Sequence, residues 1–325
     1  MYYTEQEVSI PSAYPLAATL ALPQQEQEKH PIIIMIHGSG DIDRDGNAKQ
    51  LHINAFKELS DRIAAAGFAV LRYDKRGVGQ SGGDFHEMGL FDLIDDAAAV
   101  VDFAKQHPQI DSSRIILLGH SEGSIIAPAI HARTPVNGMI LLAGTAEPLS
   151  DTTAWQRKQM KEEIENKKGF SGWLLRLLNV SGKLDKMNNE LLQKIQDTTE
   201  SVVTFKGQKI SVKWNREHGH YDVRDDLKKI TCPILAITGT KDVQVHPEHA
   251  EQICRTVQGE CEHYLIPEMT HILRKTDVTK EFSVILKDYK RQVKKPVDQE
   301  LSDKIVTWLH KHFSCSPNQT KIDEH

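Results

Sequence analysis

The chain has 325 residues, of which 39% are hydrophobic and 26% charged, enough apolar material to bury a sizeable core in a large α/β domain. Forty basic residues against 45 acidic ones give a formal net charge of −5. That balance suits solubility and excludes the broad basic footprint of a nucleic-acid or anionic-lipid binder. The start, Met1-Tyr2-Tyr3-Thr4-Glu5-Gln6-Glu7, has neither a basic beginning nor an apolar run, so no secretory signal is expected and the cytoplasm is the expected location. The longest apolar runs, such as Ile32 to Ile36, are too short to span a bilayer. Cys232, Cys254, Cys261 and Cys315 show no CxxC and no metal-ligand spacing. Cys254 and Cys261 are near enough to meet, yet free thiols are the expectation.

In chain order, segments 7–10 and 16–22 read as leading antiparallel strands. Six apolar, β-branched runs follow: Ile32 to Ile36, Ala69 to Tyr73, Ile115 to Leu118, Met139 to Leu142, Ile234 to Thr238 and His263 to Ile266. Continuous apolar strands are what a sheet covered on both faces requires. Helical patterns at 54–66, 90–106, 122–133, 247–257 and 299–312 lie between and after them, and the first stops at Gly67. This βα alternation predicts an α/β fold with a mostly parallel sheet.

Residues 147–230 break the alternation. Helical periodicity over 152–197 carries Trp155, Phe170, Trp173, Leu174, Leu177 and Leu178, and the amphipathic stretch from Phe170 to Leu178 is suited to cover an apolar surface. The expected organisation is a core of residues 1–146 and 231–313, a helical lid at 147–230 and a tail at 314–325. Trp155, Phe170 and Trp173 are the expected substrate-contacting residues of the lid. Glu162, Glu163 and Glu165 among the lysines argue against a membrane-surface helix. A smaller insertion follows His271 to about Val297, and the lysine-rich stretch near 287–295 reads as a solvated helix face.

The sharpest signal is Leu117-Leu118-Gly119-His120-Ser121-Glu122-Gly123-Ser124. It is a Gly-x-Ser-x-Gly pattern set where a buried strand turns into a helix. The glycines are needed because a Cβ two residues either side of the serine would collide with the neighbouring strand or helix. Pro128 falls inside the following helix and removes one backbone hydrogen bond there.

Gly-His-Ser-Glu-Gly resembles the nucleophile elbow of the serine α/β-hydrolase superfamily, and the resemblance spans about residues 8 to 313. It implies a central sheet of about eight strands and a triad in the chain order Ser, acid, His. The loop His37-Gly38-Ser39-Gly40 resembles the superfamily's oxyanion element, and its continuation through Asp41 to Asp45 looks like the HGSG…DRD loop of small bacterial carboxylesterases. The phrase Arg72 to Gly79 recurs in the same group. The resemblance implies oxyanion donors at the N–H of Glu122 and of Ser39, with Gly40 as second choice. Asp43, Arg44, Asp74 and Arg76 read as loop-fixing charges, and His37 as a residue that orders its loop.

The acid is expected at the end of the run Ile234 to Thr238, where Asp242 is the first carboxylate after Gly239. Sixteen histidines compete for the base. His246 and His249 would open the next helix as exposed polar residues, and His218 and His220 fall in the insertion. His271 stands directly after the last strand run, in a loop that reaches the carboxyl end of the sheet, and is the expected base for Ser121.

The resemblance implies hydrolysis of carboxylic esters with short acyl chains through an acyl-enzyme on Ser121. Thioester hydrolysis and aminopeptidase action are the alternatives, and a non-catalytic receptor on the same fold is the alternative of another class. The expected partner is a small-molecule ester; no cofactor, metal, nucleic acid or membrane span is expected.

Overall fold

The computed structural model describes residues 2–24 and 29–314. Residues 315–325 of the expected tail, Cys315 among them, lie outside the described residues.

Apolar runs become sheet because β-branched side chains pack well on a pleated surface. Eight strands, β1 (Tyr3–Ile10), β2 (Leu16–Pro23), β3 (His30–Ile36), β4 (Ala69–Tyr73), β5 (Ile110–His120), β6 (Gly138–Leu142), β9 (Ile234–Gly239) and β10 (Cys261–Ile266), form one sheet. Their order is β1-β2-β4-β3-β5-β6-β9-β10. β1 and β2 pair antiparallel, and β2 joins β4 antiparallel. Every other pairing is parallel.

Every residue of β3 is buried, and alternation along it feeds two separate cores. Ile32, Ile34 and Ile36 face one layer with α2 (Leu90–Gln106), α3 (Gly123–Arg133) and α9 (His249–Thr256). Ile33 and Met35 face the other with α1 (Ala55–Ala65) and α11 (Gln299–Phe313). Each fully buried Ile or Leu contributes roughly 1.5–3 kcal/mol over its exposed form. The predicted strands and helices all appear, with α10 (Phe282–Gln292) added inside the insertion after His271.

Between β6 and β9 the chain leaves the sheet. It forms α4 (Leu149–Asn166), α5 (Gly169–Leu177), α6 (Val180–Gln196), the hairpin of β7 (Val202–Phe205) and β8 (Gln208–Ser211), α7 (Val212–His220) and the short α8 (Arg224–Leu227). The hairpin is an addition to the all-helical lid expected here. Among the described residues no helix is long and apolar enough to cross a membrane.

The cysteine expectation needs correcting. Cys254 of α9 and Cys261 of β10 form a disulfide, their Cα atoms 5.2 Å apart. Cys232 is free and half-buried. The bridge closes a short loop, so reducing it, or making Cys254→Ser/Cys261→Ser, is expected to cost about 2–3 kcal/mol. Urea denaturation with and without reductant measures this.

Candidate active site

β5 ends at His120 and α3 begins at Gly123, so Ser121 and Glu122 must make the whole turn. Ser121 sits at φ 56°, in the left-handed region, which costs a non-glycine residue on the order of 1 kcal/mol or more. The turn is held on both sides: the Ser121 N–H donates to the Leu142 carbonyl at 2.9 Å, and the Ser124 hydroxyl donates to the Ser121 carbonyl at 2.6 Å. A Cβ on Gly119 would lie 2.2 Å from the Gly123 carbonyl oxygen, and one on Gly123 only 2.1 Å from that of Ile36. The expected collisions with helix and strand are therefore real. Because β3 pairs with β5, the loop after β3 emerges beside the elbow. Gly38 passes so close that a Cβ there would stand 2.9 Å from the Ser121 Cβ.

Asp242 and His271 come from loops after β9 and β10, at the same edge of the sheet. His271 Nδ1–H donates to Asp242 Oδ2 at 2.8 Å. The other carboxylate oxygen of Asp242 accepts the N–H groups of Gln244 and Val245 at 2.8 and 2.9 Å. Asp242 is fully buried and His271 nearly so. His120, next to the serine, donates from Nε2 to the His271 carbonyl at 2.9 Å, which ties the elbow to the histidine loop.

The surrounding charges behave as the sequence suggests in part. Arg44 pairs with Asp74 at 2.8 Å, Arg76 reaches Asp96 at 2.9 Å, and Asp43 accepts the N–H groups of Asp45 and Asn47 at 3.0 and 2.9 Å. His37 is buried and stacks on Phe56 at 5.0 Å. His249 is the correction: it is buried, not exposed, and its Nδ1 meets the Thr145 hydroxyl at 2.9 Å.

Burial drives three of these histidines toward their neutral forms. It pushes His37 and His120 down to about 3, helped by the Lys75 charge at His37 and by His271 at His120. It pushes His249 down to about 4, with His246 adding to the effect. In the unfolded chain these groups take up protons near pH 6.5. Between that pH and the folded values the unfolded state binds more protons, so stability is complete above pH 6.5 and falls on acidification. Each group removes about 1.4 kcal/mol per pH unit in that window. Thermal melts from pH 7 to 4 are expected to show a steep decline, and His249→Asn should flatten it.

The sequence reading missed a second cluster behind the elbow. The Glu122 side chain is buried, and its Oε1 accepts Trp214 Nε1–H at 2.6 Å and His218 Nε2–H at 2.8 Å, both from α7. Its Oε2 faces the buried Lys75 ammonium at 3.3 Å. Burial alone would raise the Glu122 pKa; the Lys75 charge and the bonds from His218 and Trp214 outweigh it and hold it at about 2. Lys75 also donates to the Gly38 carbonyl and, at 3.2 Å, to that of Gly40. The sequence signals were the positions of Lys75 within the Arg72-to-Gly79 phrase and of Glu122 within the elbow.

The insertion reaches the site through α4 and α7. Trp155 lies edge-on to His246 at 5.3 Å, and Gln156 and Gln159 donate to the carbonyls of Gln244 and Val243 at 2.6 and 3.1 Å. Phe170 and Trp173 meet in a tilted ring contact at 5.5 Å but are 75% and 51% exposed. Trp155 is therefore set against the acid loop, whereas the other two face solvent. Glu260, Glu262 and His312 lie within metal-ligand reach of one another, but Lys311 already sits on both carboxylates at 2.8 and 2.7 Å.

A mostly parallel eight-stranded sheet, covered on both faces and turning sharply at the end of an inner strand, defines the class: this is an α/β hydrolase. Est1E from Butyrivibrio proteoclasticus, solved with ferulic acid bound, shares the fold at 22% identity and a TM-score of 0.57, over 89% of this chain and 100% of that one. The Pyrococcus furiosus esterase Pf2001 does so at 17% identity and 0.58, over 96% and 92%. Residues 27–275 match the family model described as serine aminopeptidase, S33 (Hydrolase_4), and the chain belongs to that family of serine hydrolases. Esterase EstD of Thermotoga maritima is 25% identical over 288 residues, which span 86% of this chain but only 62% of that protein.

Proposed function

We propose that the protein cleaves small carboxylic esters by acyl transfer through Ser121. The Ser121 hydroxyl attacks the ester carbonyl while His271 takes its proton, and the oxyanion is held by the N–H groups of Glu122 and Ser39. Collapse expels the alcohol, protonated by His271. Water then attacks the acyl-enzyme with His271 again as base, releasing the acid and restoring the serine. Asp242 keeps the imidazole in one orientation and stabilises its protonated form. The observation that carries this reading is the 2.8 Å bond from His271 to Asp242, standing with a left-handed Ser121 at one edge of the sheet.

The esterases EstD and Est1E among the similar proteins favour esters. The insertion at 147–230 serves as the lid, with Trp155 as its contact nearest the acid loop, whereas Phe170 and Trp173, expected to touch substrate, stand on its solvent-facing side. A second reading, removal of an amino-terminal residue, is favoured by the family's description and by a cleft of about 830 Å³ beside the Ser39 loop that Asp41, Asp43 and Asp84 help to line. A panel of short-chain esters, thioesters and aminoacyl amides, assayed on wild type and Ser121→Ala, decides between them. Short-chain esters are expected to be turned over fastest, and turnover of aminoacyl amides alone would replace this reading with the second.

A further inference from the structure

We propose that Lys75 and Glu122 form a positioning pair that aims both oxyanion-hole peptides, and that α7 of the insertion locks the pair in place. The inference rests on the reading of Ser39 and Glu122 as the oxyanion donors.

The Gly38 carbonyl and the Ser39 N–H belong to one planar trans peptide, so they point in opposite directions. An ammonium that holds the Gly38 oxygen therefore fixes where the Ser39 N–H points, and its charge strengthens that N–H as a donor. Lys75 makes this bond from a buried position. The second donor is the main chain of Glu122, whose own carboxylate is the counter-ion of Lys75 at 3.3 Å. One ion pair thus joins the two loops that must converge on a single oxygen.

The pair is fully used. An ammonium has three donors, and Lys75 meets three acceptors: the carbonyls of Gly38 and Gly40 and the Glu122 carboxylate. The remaining Glu122 oxygen takes Trp214 and His218 of α7. That helix is itself anchored on the start of α2, where Glu217 accepts the Phe91 N–H at 2.9 Å and Lys213 pairs with Asp92 at 2.5 Å. A buried ion pair adds little net stability but defines geometry well. The geometry it defines here is that of the oxyanion hole, with the insertion as its outer wall.

The test compares kcat, KM and the inhibition constant of a trifluoromethyl ketone on p-nitrophenyl butyrate hydrolysis. Because Lys75→Met strands a buried carboxylate, the neutral pair Lys75→Met/Glu122→Gln is measured beside it, with a thermal melt for each protein. Both are expected to lose about 10²-fold in kcat, to keep KM within about threefold, and to bind the ketone more weakly by the same factor. Trp214→Phe/His218→Leu should lose about tenfold in kcat, and combining it with Glu122→Gln should cost no more than Glu122→Gln alone. A folded neutral pair with wild-type kcat and ketone affinity overturns the proposal, as does a change confined to KM. If that pair does not fold, full additivity of the α7 and Glu122 changes overturns it instead. Ser121→Ala runs in parallel: wild-type turnover there would overturn the serine reading itself, whereas an inactive Ser121→Ala beside an unaffected neutral pair removes only this proposal.

Discussion

Ser121→Ala is expected to lower ester turnover by at least about 10⁴-fold, and His271→Ala by a similar factor, with KM nearly unchanged. Asp242→Asn should lose somewhat less, because the imidazole remains but is held in the wrong tautomer. The Asp242→Asn/His271→Ala double variant should be little worse than His271→Ala alone. The 2.8 Å bond from His271 to Asp242 is the reason: once the imidazole is gone, the carboxylate has nothing to orient. Single and double variants measured in one assay, with folding verified by circular dichroism, settle the matter. Losses that multiply would mean the two residues act independently, and the triad assignment would fall.

Gly123→Ala should have the largest effect on folding. Its new Cβ would be placed 2.1 Å from the Ile36 carbonyl oxygen and 3.0 Å from that of His37. Both are backbone atoms of a fully buried strand and the loop that follows it, so neither can swing aside as a side chain would. Helix α3 must retreat from β3, and the elbow retreats with it. A loss of about 4 kcal/mol or more is expected, in the range kept for gross steric conflict, together with loss of ester turnover in any protein that remains folded. A denaturation midpoint within error of wild type would show that the elbow does not press against β3 as described.

Much of this architecture is legible in the residues themselves. A run such as Ile32-Ile33-Ile34-Met35-Ile36 has one economical solution, a strand buried on both faces, and the structure sends its side chains alternately into two cores. The Gly119-to-Gly123 elbow is equally local: strand, turn and helix follow within a dozen residues, and the collisions that demand glycine come from immediate neighbours in the sheet. The meeting of Asp242 with His271 is legible by position, since the loops after successive parallel strands all open at the same edge.

What escaped the sequence depends on pairs far apart in the chain. Lys75 and Glu122 are 47 residues apart, and His218 and Glu122 are 96 apart. No periodicity marks such partners; strand order brings them together, and only then does a buried carboxylate find its cation. The same holds for His249, which is buried and meets Thr145, 104 residues away, whose hydroxyl also meets Thr152 of α4. Phe170 and Trp173 show the converse, since an apolar helical stripe states that a face wants cover without stating which surface provides it. The strands, the turn at Ser121 and the meeting of Asp242 with His271 were thus readable from the residues, because periodicity and strand-end position are local properties. The ion pair behind the elbow and the facing of the insertion emerged only from packing, because each depends on which distant segments the sheet sets side by side; the disulfide is local, seven residues apart, but spacing alone does not say that two thiols are oxidised.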